Sequence, residues 1–501
     1  MNRKSALGSI LLLALTVPGA LAAPIEAVST TIGTEDINLD PVASLESTPS
    51  ANLIAARPTR RKIRARSRKR AKVRAKSPAT AQQKEQEVSQ FNSPNPATPI
   101  SPPIIPPQVD PVPTIQEPKA TPVSQPSMGM SPAPSNKINW GANVESYYFN
   151  WSDNFGNSGN QLVVPLTVTA NSGNLDVGVR TALINSNFNG VLLLDGQKVG
   201  TRKGSVSTLS DTSLSLAYNL KQSDFPVRFN LDFNLPTGKA TLAGDQKNAI
   251  MDGSLVQQTR FGEGFNIAPG ISVSHAFGSK DVVGLGVSYI LKGQFDPNSD
   301  VVNDEIKPGN ETVATLQYQH IDSNWLASGG LIYTGYGTTQ RGGQDYYRSG
   351  DRLDANLTAA FVPFDGHRVQ LSGRYFTQTP NTVANFLSGD LVKESANSNG
   401  NGTYLGLDWS IATDPQQKGR VHALVDYLNV QANSYDRIND LYNAGRDKVS
   451  VGVGYDYSFS PSTSASVQAK YFQVVDKATP ITQQDIRSNG LNVYGSVSIN
   501  F

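Results

Sequence analysis

The chain has 501 residues with 43 Lys and Arg against 41 Asp and Glu, a net charge of +2, 8% aromatics and no Cys. The missing Cys excludes disulfides, thiolate chemistry and a lipoprotein anchor. Beyond the N-terminal run described next, no stretch of 18 apolar residues occurs, which excludes membrane helices but not strands that cross a membrane.

Met1 to Ala22 reads as a secretory signal. Arg3 and Lys4 precede the apolar run Ala6–Val17, and Ala20-Leu21-Ala22 supplies small residues at a cleavage site. The mature chain is expected to begin near Ala23. Residues 23–92 have the composition of a disordered segment, and Phe91 is the only aromatic between 24 and 136. Residues 57–76 (RPTRRKIRARSRKRAKVRAK) carry 12 Lys and Arg and no acid, so without them the net charge of +2 becomes −10. Fourteen prolines lie between Pro94 and Pro134. They favour extended polyproline II, and at about 3.1 Å per residue the linker 93–136 reaches on the order of 100 Å. In an exported protein, nucleic acid is not an available partner for the basic run. Peptidoglycan or another anionic envelope polymer is, and a solvated, non-specific tail remains the alternative.

From Lys137 onward Gly, Tyr, Phe, Val and Asn rise and period-two alternation of apolar and polar residues recurs. Sixteen strands are expected: 138–149, 161–170, 175–184, 205–220, 226–235, 264–277, 281–291, 310–320, 324–336, 352–362, 367–377, 402–412, 419–430, 447–459, 463–475 and 490–501. Val449, Val451, Val453, Tyr455, Tyr457 and Phe459 share one face, with Ser450, Gly452, Gly454, Asp456 and Ser458 on the other. Even-numbered strands precede short turns and odd-numbered strands precede long connections: 150–160, 185–204, 236–263, 292–309, 337–351, 378–401, 431–446 and 476–489. The fold class expected is all-β, a transmembrane antiparallel up-and-down β-barrel. About 16 strands fit best, counts from 14 to 18 are compatible, and a disordered Pro-rich and basic N-terminal extension precedes the barrel.

The last strand, LNVYGSVSINF, ends on Phe501, with Val497 and Ile499 on its apolar face. It resembles the terminal strands of bacterial outer-membrane β-barrels, in which the final aromatic belongs to the signal read by the barrel-assembly machinery. Strand number, loop alternation and this Phe together resemble the sixteen-stranded porins. That resemblance implies a cell-outer-membrane location, outer-membrane lipid as partner, a periplasmic N-terminal tail, a homotrimer, and a third outer loop that folds inward. A local likeness competes over residues 234–277. NLPTGKATLAGD followed by FGEGFNIAPGISVSHAF resembles outer-membrane proteins of aromatic-degradation operons, which are related to fatty-acid channels. It implies fourteen strands and hydrophobic or aromatic cargo, but the Pro-rich 93–136 is unlike the N-terminal plug of those channels.

The residues placed by alternation on the inner face are Glu145, Asp176, Arg180, Arg228, Asp232, Arg368, Arg374, Asp408, His422, Asp426, Asp456 and Lys470. A charge facing hydrocarbon costs roughly 2–4 kcal/mol near the midplane, so a lumen is the expected surroundings. The porin resemblance makes 236–263 the constriction loop, with Lys239, Asp245, Lys247 and Asp252, and has Asp245 and Asp252 facing Arg180 and Arg228. Asp296, Asn298 and Asp300 begin like a calcium loop, but Val301 stands where its Gly belongs. No cofactor and no firm metal site are expected.

Catalysis finds little support. GNSGN at 156–160 breaks the Gly-x-Ser-x-Gly pattern, and His275, His320 and His367 lie near short turns. His422 and Asp426 are about 13 Å apart on one strand face. Three roles fit the chain: passive diffusion of small solutes, a channel for hydrophobic or aromatic compounds, and a closed structural or adhesive barrel.

Overall fold

The computed structural model describes residues 138–501, apart from 195–196, 221–224, 303, 323 and 386–387. The signal peptide, the basic run and the Pro-rich linker lie outside the described residues. The wall is built from β1 (Ile138–Asp153), β2 (Ser158–Ser172), β3 (Leu175–Leu194), β4 (Gln197–Leu209), β5 (Thr212–Leu220), β6 (Val227–Leu235), β7 (Asn266–Phe277) and β8 (Asp281–Lys292). Beyond the short β9 (Ile306–Lys307) it continues with β10 (Glu311–Ile321) and β11 (Trp325–Tyr336). The hairpin β12 (Thr338–Arg341) and β13 (Gln344–Arg348) intervenes before β14 (Arg352–Phe361) and β15 (His367–Gln378). After β16 (Thr382–Ala384) and β17 (Leu391–Lys393) come β18 (Gly402–Ala412), β19 (Gly419–Val430), β20 (Arg446–Ser460), β21 (Thr463–Asp476) and β22 (Ile486–Asn500).

Every wall pairing is antiparallel between neighbours in sequence, and β1 pairs with β22. The sheet therefore closes into a barrel. Its 17 strands occupy sixteen wall positions, because β4 and β5 both pair with β3, one above the other. The fourteen-strand count implied by the local likeness is thereby corrected. Between β4 and β5 the partner sum shifts from Leu183↔Leu209 to Arg180↔Ser213. One extra residue is accommodated there, a β-bulge centred on Ser210 and Asp211.

Apart from Leu192 and Ile321 near strand ends, the exposed apolar residues fall on one parity in each wall strand. In β20 they are Val449, Val451, Val453, Tyr455 and Phe459, while inward Ser450 is 6% exposed. Two aromatic girdles bound this apolar band. At the turn end stand Trp140, Phe277, Trp325, Phe364, Trp409 and Phe459, all exposed. At the loop end, exposed Tyr148, Tyr289, Tyr333, Tyr427 and Tyr471 each share a hydrogen bond with Asn150, Asn310, Asp351, Asp447 and Asn489 in turn. The barrel is a transmembrane one: its outer surface is apolar between two belts whose polar atoms reach toward water.

Fifteen of the sixteen expected strands form as single strands, several of them longer than their patterns suggest, and the expected 205–220 is divided at Ser210 and Asp211 into the end of β4 and β5. Connection 150–160 shrinks to 154–157, and most of 185–204 becomes paired strand, because β3 and β4 continue their ladder beyond the apolar band. The first two connections at that end are therefore tight, a correction to the expected long loops. Three of the long ones that remain acquire strands of their own. β17, β16, β13, β12 and β9 form a second, five-stranded sheet from three connections. Their short runs lack the alternation that marks the wall.

Val453 is 63% exposed on the outward face. Val453→Arg should lower stability by about 2–4 kcal/mol, while Val302→Arg, in a connection outside the wall, should have little effect. Urea unfolding from phospholipid vesicles reads both, and equal stability of the two variants would contradict the outward assignment.

Candidate functional site

The connection between β6 and β7 carries the chemistry of the interior. After Leu235 the chain turns in and runs through a 3-10 helix, Gly244–Ala249. Met251, Ser254, Leu255, Val256, Gln258, Thr259 and Phe261 are all buried. They meet inward-facing wall residues. Met251, Leu255 and Val256 cluster with Phe149 and Trp151 of β1 and with Phe472 and Val474 of β21. Leu242, Ala249 and Phe261 cluster with Val163, Ala182, Ile184 and Val206 of β2, β3 and β4. The loop thus lies in the lumen against β1–β4 and β21, as the porin resemblance implies.

Its fastenings are chemically distinct. At the base, the bulge residue Asp211 accepts from Gly238 N (2.9 Å), Glu263 N (2.7 Å) and Asn234 Nδ2 (2.7 Å). One carboxylate thereby holds both ends of the loop, and such charge-assisted bonds are among the stronger ones in proteins. Gly238 permits the approach, since a Cβ there would sit 2.1 Å from Phe261 O. This explains the Leu-Pro-Thr-Gly stretch as a structural base. Mid-loop, Gln161 of β2 donates to Gln258 O and accepts from Gln258 N, both at 2.7 Å, and is 0% exposed. At the far side Arg446 of β20 grips Asp252 (Nη1–Oδ1 2.8 Å, Nη2–Oδ2 2.7 Å), donates to Ser254 Oγ at 2.9 Å, and also bonds Asp476.

Asp252 therefore does not face Arg180 or Arg228, contrary to the expectation from the porin resemblance. Arg180 pairs with Glu145 (3.4 Å) and Arg228 with Asp176 (2.8 Å). Asp245 is exposed in the 3-10 helix, and Lys239 donates through its backbone to Phe261 O. Lys247 reaches a neighbouring connection, where its Nζ lies 2.8 Å from Asp300 and 3.2 Å from Asn298. The oxygens that resemble the start of a calcium loop thus face an ammonium, and Asp296 accepts from Asn298 N. Among the described residues no group of three or more His, Asp or Glu is arranged to hold a metal ion. Leu242 bridges to Asn298, joining the same two connections through backbone.

The other sequence-named charges stand opposite the exposed apolar parity of their strands and are mostly paired. Arg374 binds Asp354 at 2.7 Å, and the same carboxylate binds the buried Arg352. Lys470 and Tyr404 both bind Asp426 at 2.8 Å. Arg368 donates to Gln370 at 3.1 Å, and Asp232 is 7% exposed. His422 has Nδ1 3.0 Å from Asp408 and Nε2 2.8 Å from Asp456. Both ring nitrogens face carboxylates rather than a hydroxyl, an arrangement that pairs charge and activates no nucleophile. His275, His320 and His367 stack on Phe225, Trp325 and Trp409 at the turn end.

The residues that anchor the loop, Asp211, Gln161 and Arg446, escape a reading of alternation. Only the first leaves a trace: outward apolar positions switch from odd (Leu209) to even (Tyr218) across the bulge.

No protein-family model and no curated protein matches the chain. Among solved structures, an outer-membrane channel of Pseudomonas putida F1 shares 15% identity, covering 62% of this chain and 99% of the other, with a TM-score of 0.33. OccAB1 of Acinetobacter baumannii shares 9%, covering 75% and 99%, with a TM-score of 0.36. The monoaromatic hydrocarbon channel CymD shares 12%, covering 73% and 89%, with a TM-score of 0.34.

Burial pushes the Asp252 carboxyl up, but the charge of Arg446 and hydrogen bonds from Arg446 and Ser254 outweigh it and hold the group below its usual 3.8. A depressed carboxylate contributes stability above its unfolded value and loses it as pH falls through the folded one. The loop should stay latched at neutral and mildly acidic pH and loosen only as pH falls below the usual carboxylate range, through the lowered folded value of Asp252. Emission of Trp151, in a variant whose other three Trp are Phe, should report this. A transition near neutrality would contradict the assignment.

Proposed function

We propose that the chain is an outer-membrane channel for passive diffusion of small solutes, narrowed by the loop between β6 and β7. The observation that carries this reading is the inward loop itself, packed on two apolar clusters and tied to the wall at Asp211, Gln161 and Arg446. A closed barrel of sixteen strands encloses more width than its own inward side chains fill. A segment held in that space restricts passage without abolishing it. The inward ion pairs supply a polar wall with both signs of charge, suited to hydrated solutes rather than to one charge class. The carboxylate beside the loop hydroxyl Ser254, Asp252, is held by Arg446, and both ring nitrogens of His422 face carboxylates, which supports a role without catalysis.

The terminal residue supports assembly by the outer-membrane machinery. Phe501 is 74% exposed, and its N and O pair with Trp140 O and N at 2.8 and 3.3 Å. The last residue thus completes the seam while its ring stays available for recognition. The basic run 57–76 fits an anionic envelope polymer by charge, as a periplasmic tether.

Single-channel recording in planar bilayers tests the reading. The purified chain should give discrete, stable steps. Arg446→Met, which frees Asp252, and Asp211→Ala, which releases the loop base, should each raise conductance at least twofold. Silence from correctly folded barrel would sink the open-channel reading in favour of a closed structural one. Steps unchanged in both variants would show that the loop is not the constriction.

A further inference from the structure

Two cations of the inner wall stand apart from the rest. Arg180, Arg228, Arg374 and Lys470 each hold a carboxylate. Arg368, in β15, reaches only the side-chain amide of Gln370. Arg420, in β19, makes no hydrogen bond and no ion pair among the described residues, although Asp456 of β20 stands directly opposite it. Each is the second residue of a strand that follows a short turn, so both sit at the turn end of the lumen.

His422 occupies the acids they could have used. Arg368, Ser410 and His422 form one rung across β15, β18 and β19. Asp408 lies one inward position above that rung and Asp456 one below it. The ring fills the space between them: Nδ1 is 3.0 and 3.1 Å from the two oxygens of Asp408, and Nε2 is 2.8 Å from Asp456 Oδ2. Two acceptors on one ring call for an N–H on both nitrogens, so the imidazole stands as a cation. Asp456 also accepts from Ser466 Oγ. Both carboxylates are thereby committed to a bridge over β18–β21, and the two guanidiniums are left facing the lumen. Their backbones lie two strands and one rung apart, on the order of 12 Å, close enough for their charges to repel. The sector thus holds three cations, Arg368, Arg420 and His422, against two carboxylates. Around the rest of the inner wall the named cations are cancelled in pairs, whereas here positive charge remains. A free guanidinium fork suits a carboxylate, phosphate or sulfonate group on a solute.

We propose that Arg368 and Arg420 set a preference for small anions at the turn end of the lumen, and that His422 is the positioning residue that keeps them free by holding Asp408 and Asp456. This deepens the channel reading and rests on it. The paired wall passes hydrated solutes of both signs as far as this rung, and the two arginines then favour the negative ones.

Reversal potentials in planar bilayers under a potassium chloride gradient test it. Arg368→Gln and Arg420→Gln should each lower the chloride-to-potassium permeability ratio about twofold, the effect of one charge lining a pore. His422→Gln takes away one cation and releases two carboxylates, so its ratio should fall further than either. Arg420→Lys should keep the wild-type ratio. Arg437→Gln, exposed in the connection between β19 and β20, should leave it unchanged. Phenylglyoxal labelling of the folded barrel in detergent, read by mass spectrometry, needs no current. Arg420 should react about threefold faster than Arg180, the scale of a half-exposed ion pair, although the paired Arg180 side chain is 38% exposed. Heat-dependent gel mobility checks folding. If His422→Gln does not fold, the arginine variants and the labelling order decide alone. An unchanged ratio in both arginine variants, a ratio in folded His422→Gln no lower than theirs, or Arg420 reacting no faster than Arg180 would each overturn the proposal. Discrete steps without these shifts leave the channel reading standing, whereas silence from folded barrel sinks both.

Discussion

A backbone N–H inside hydrocarbon has no water to turn to, and the β1–β22 seam is where that constraint is met. An open sheet of this size would present two unpaired edges to lipid at several kcal/mol per unsatisfied group. Thirteen residue pairs, from Gly141↔Asn500 to Asp153↔Ser488, remove both edges together. The terminal Phe501 adds a last exchange with Trp140. Once the seam is closed, every strand has a lipid face and a lumen face, and every other property of the chain follows from which residues take which. The chain's negative mean hydropathy, -0.32, is then no paradox. Half of each strand faces a polar interior.

The closed wall creates a second problem, since its interior is too wide to be filled by its own side chains. The structure resolves it locally with a small core built inside the barrel. Phe149, Trp151, Phe472 and Val474 are inward residues that no lumen needs to be apolar, and they find partners in Met251, Leu255 and Val256. Apolar side chains facing the lumen are therefore the mark of where the loop lies. Burial supplies the adhesion, while Asp211, Gln161 and Arg446 supply position. The division matters because apolar contact is tolerant of sliding, whereas a carboxylate receiving three N–H donors is not.

Much of the wall was legible because its code has period two and each strand repeats it. The residues of β18 and β19 coincide with their expected limits, Gly402–Ala412 and Gly419–Val430. Tight β3–β4 continuation was hidden because its residues, such as Asn185, Asn187 and Ser205, are polar on the side that has left the membrane. Alternation loses its contrast where both faces meet water. The loop sheet was hidden for a different reason: β9, β16 and β17 have two or three residues each, and pairing between separate connections leaves no local period. The partner of Asp252 was the least accessible of all. Arg446 lies 194 residues away, and only closure of the barrel at the β1–β22 seam brings β20 round to the side of the lumen where the loop lies.

The electrostatics of the interior argue for a loop fixed against the wall over a freely moving lid. A mobile segment is ordinarily drawn from regions with few buried contacts, yet this loop has buried residues along most of its length from Met251 to Phe261. Arg446 is satisfied by Asp252, Ser254 and Asp476 at once, so moving the loop takes the buried Asp252 from its counter-ion and leaves Arg446 with Asp476 alone. The outer brace behaves differently. Lys247 and Asp300 are each about 40% exposed, 40% and 43% for their side chains, and an exposed pair of this kind contributes little and is screened by salt. Raising ionic strength should therefore loosen the front of the loop around the 3-10 helix while leaving the Asp252 end in place. The loop has a yielding rim and an immovable root, which is the combination the proposed constriction requires.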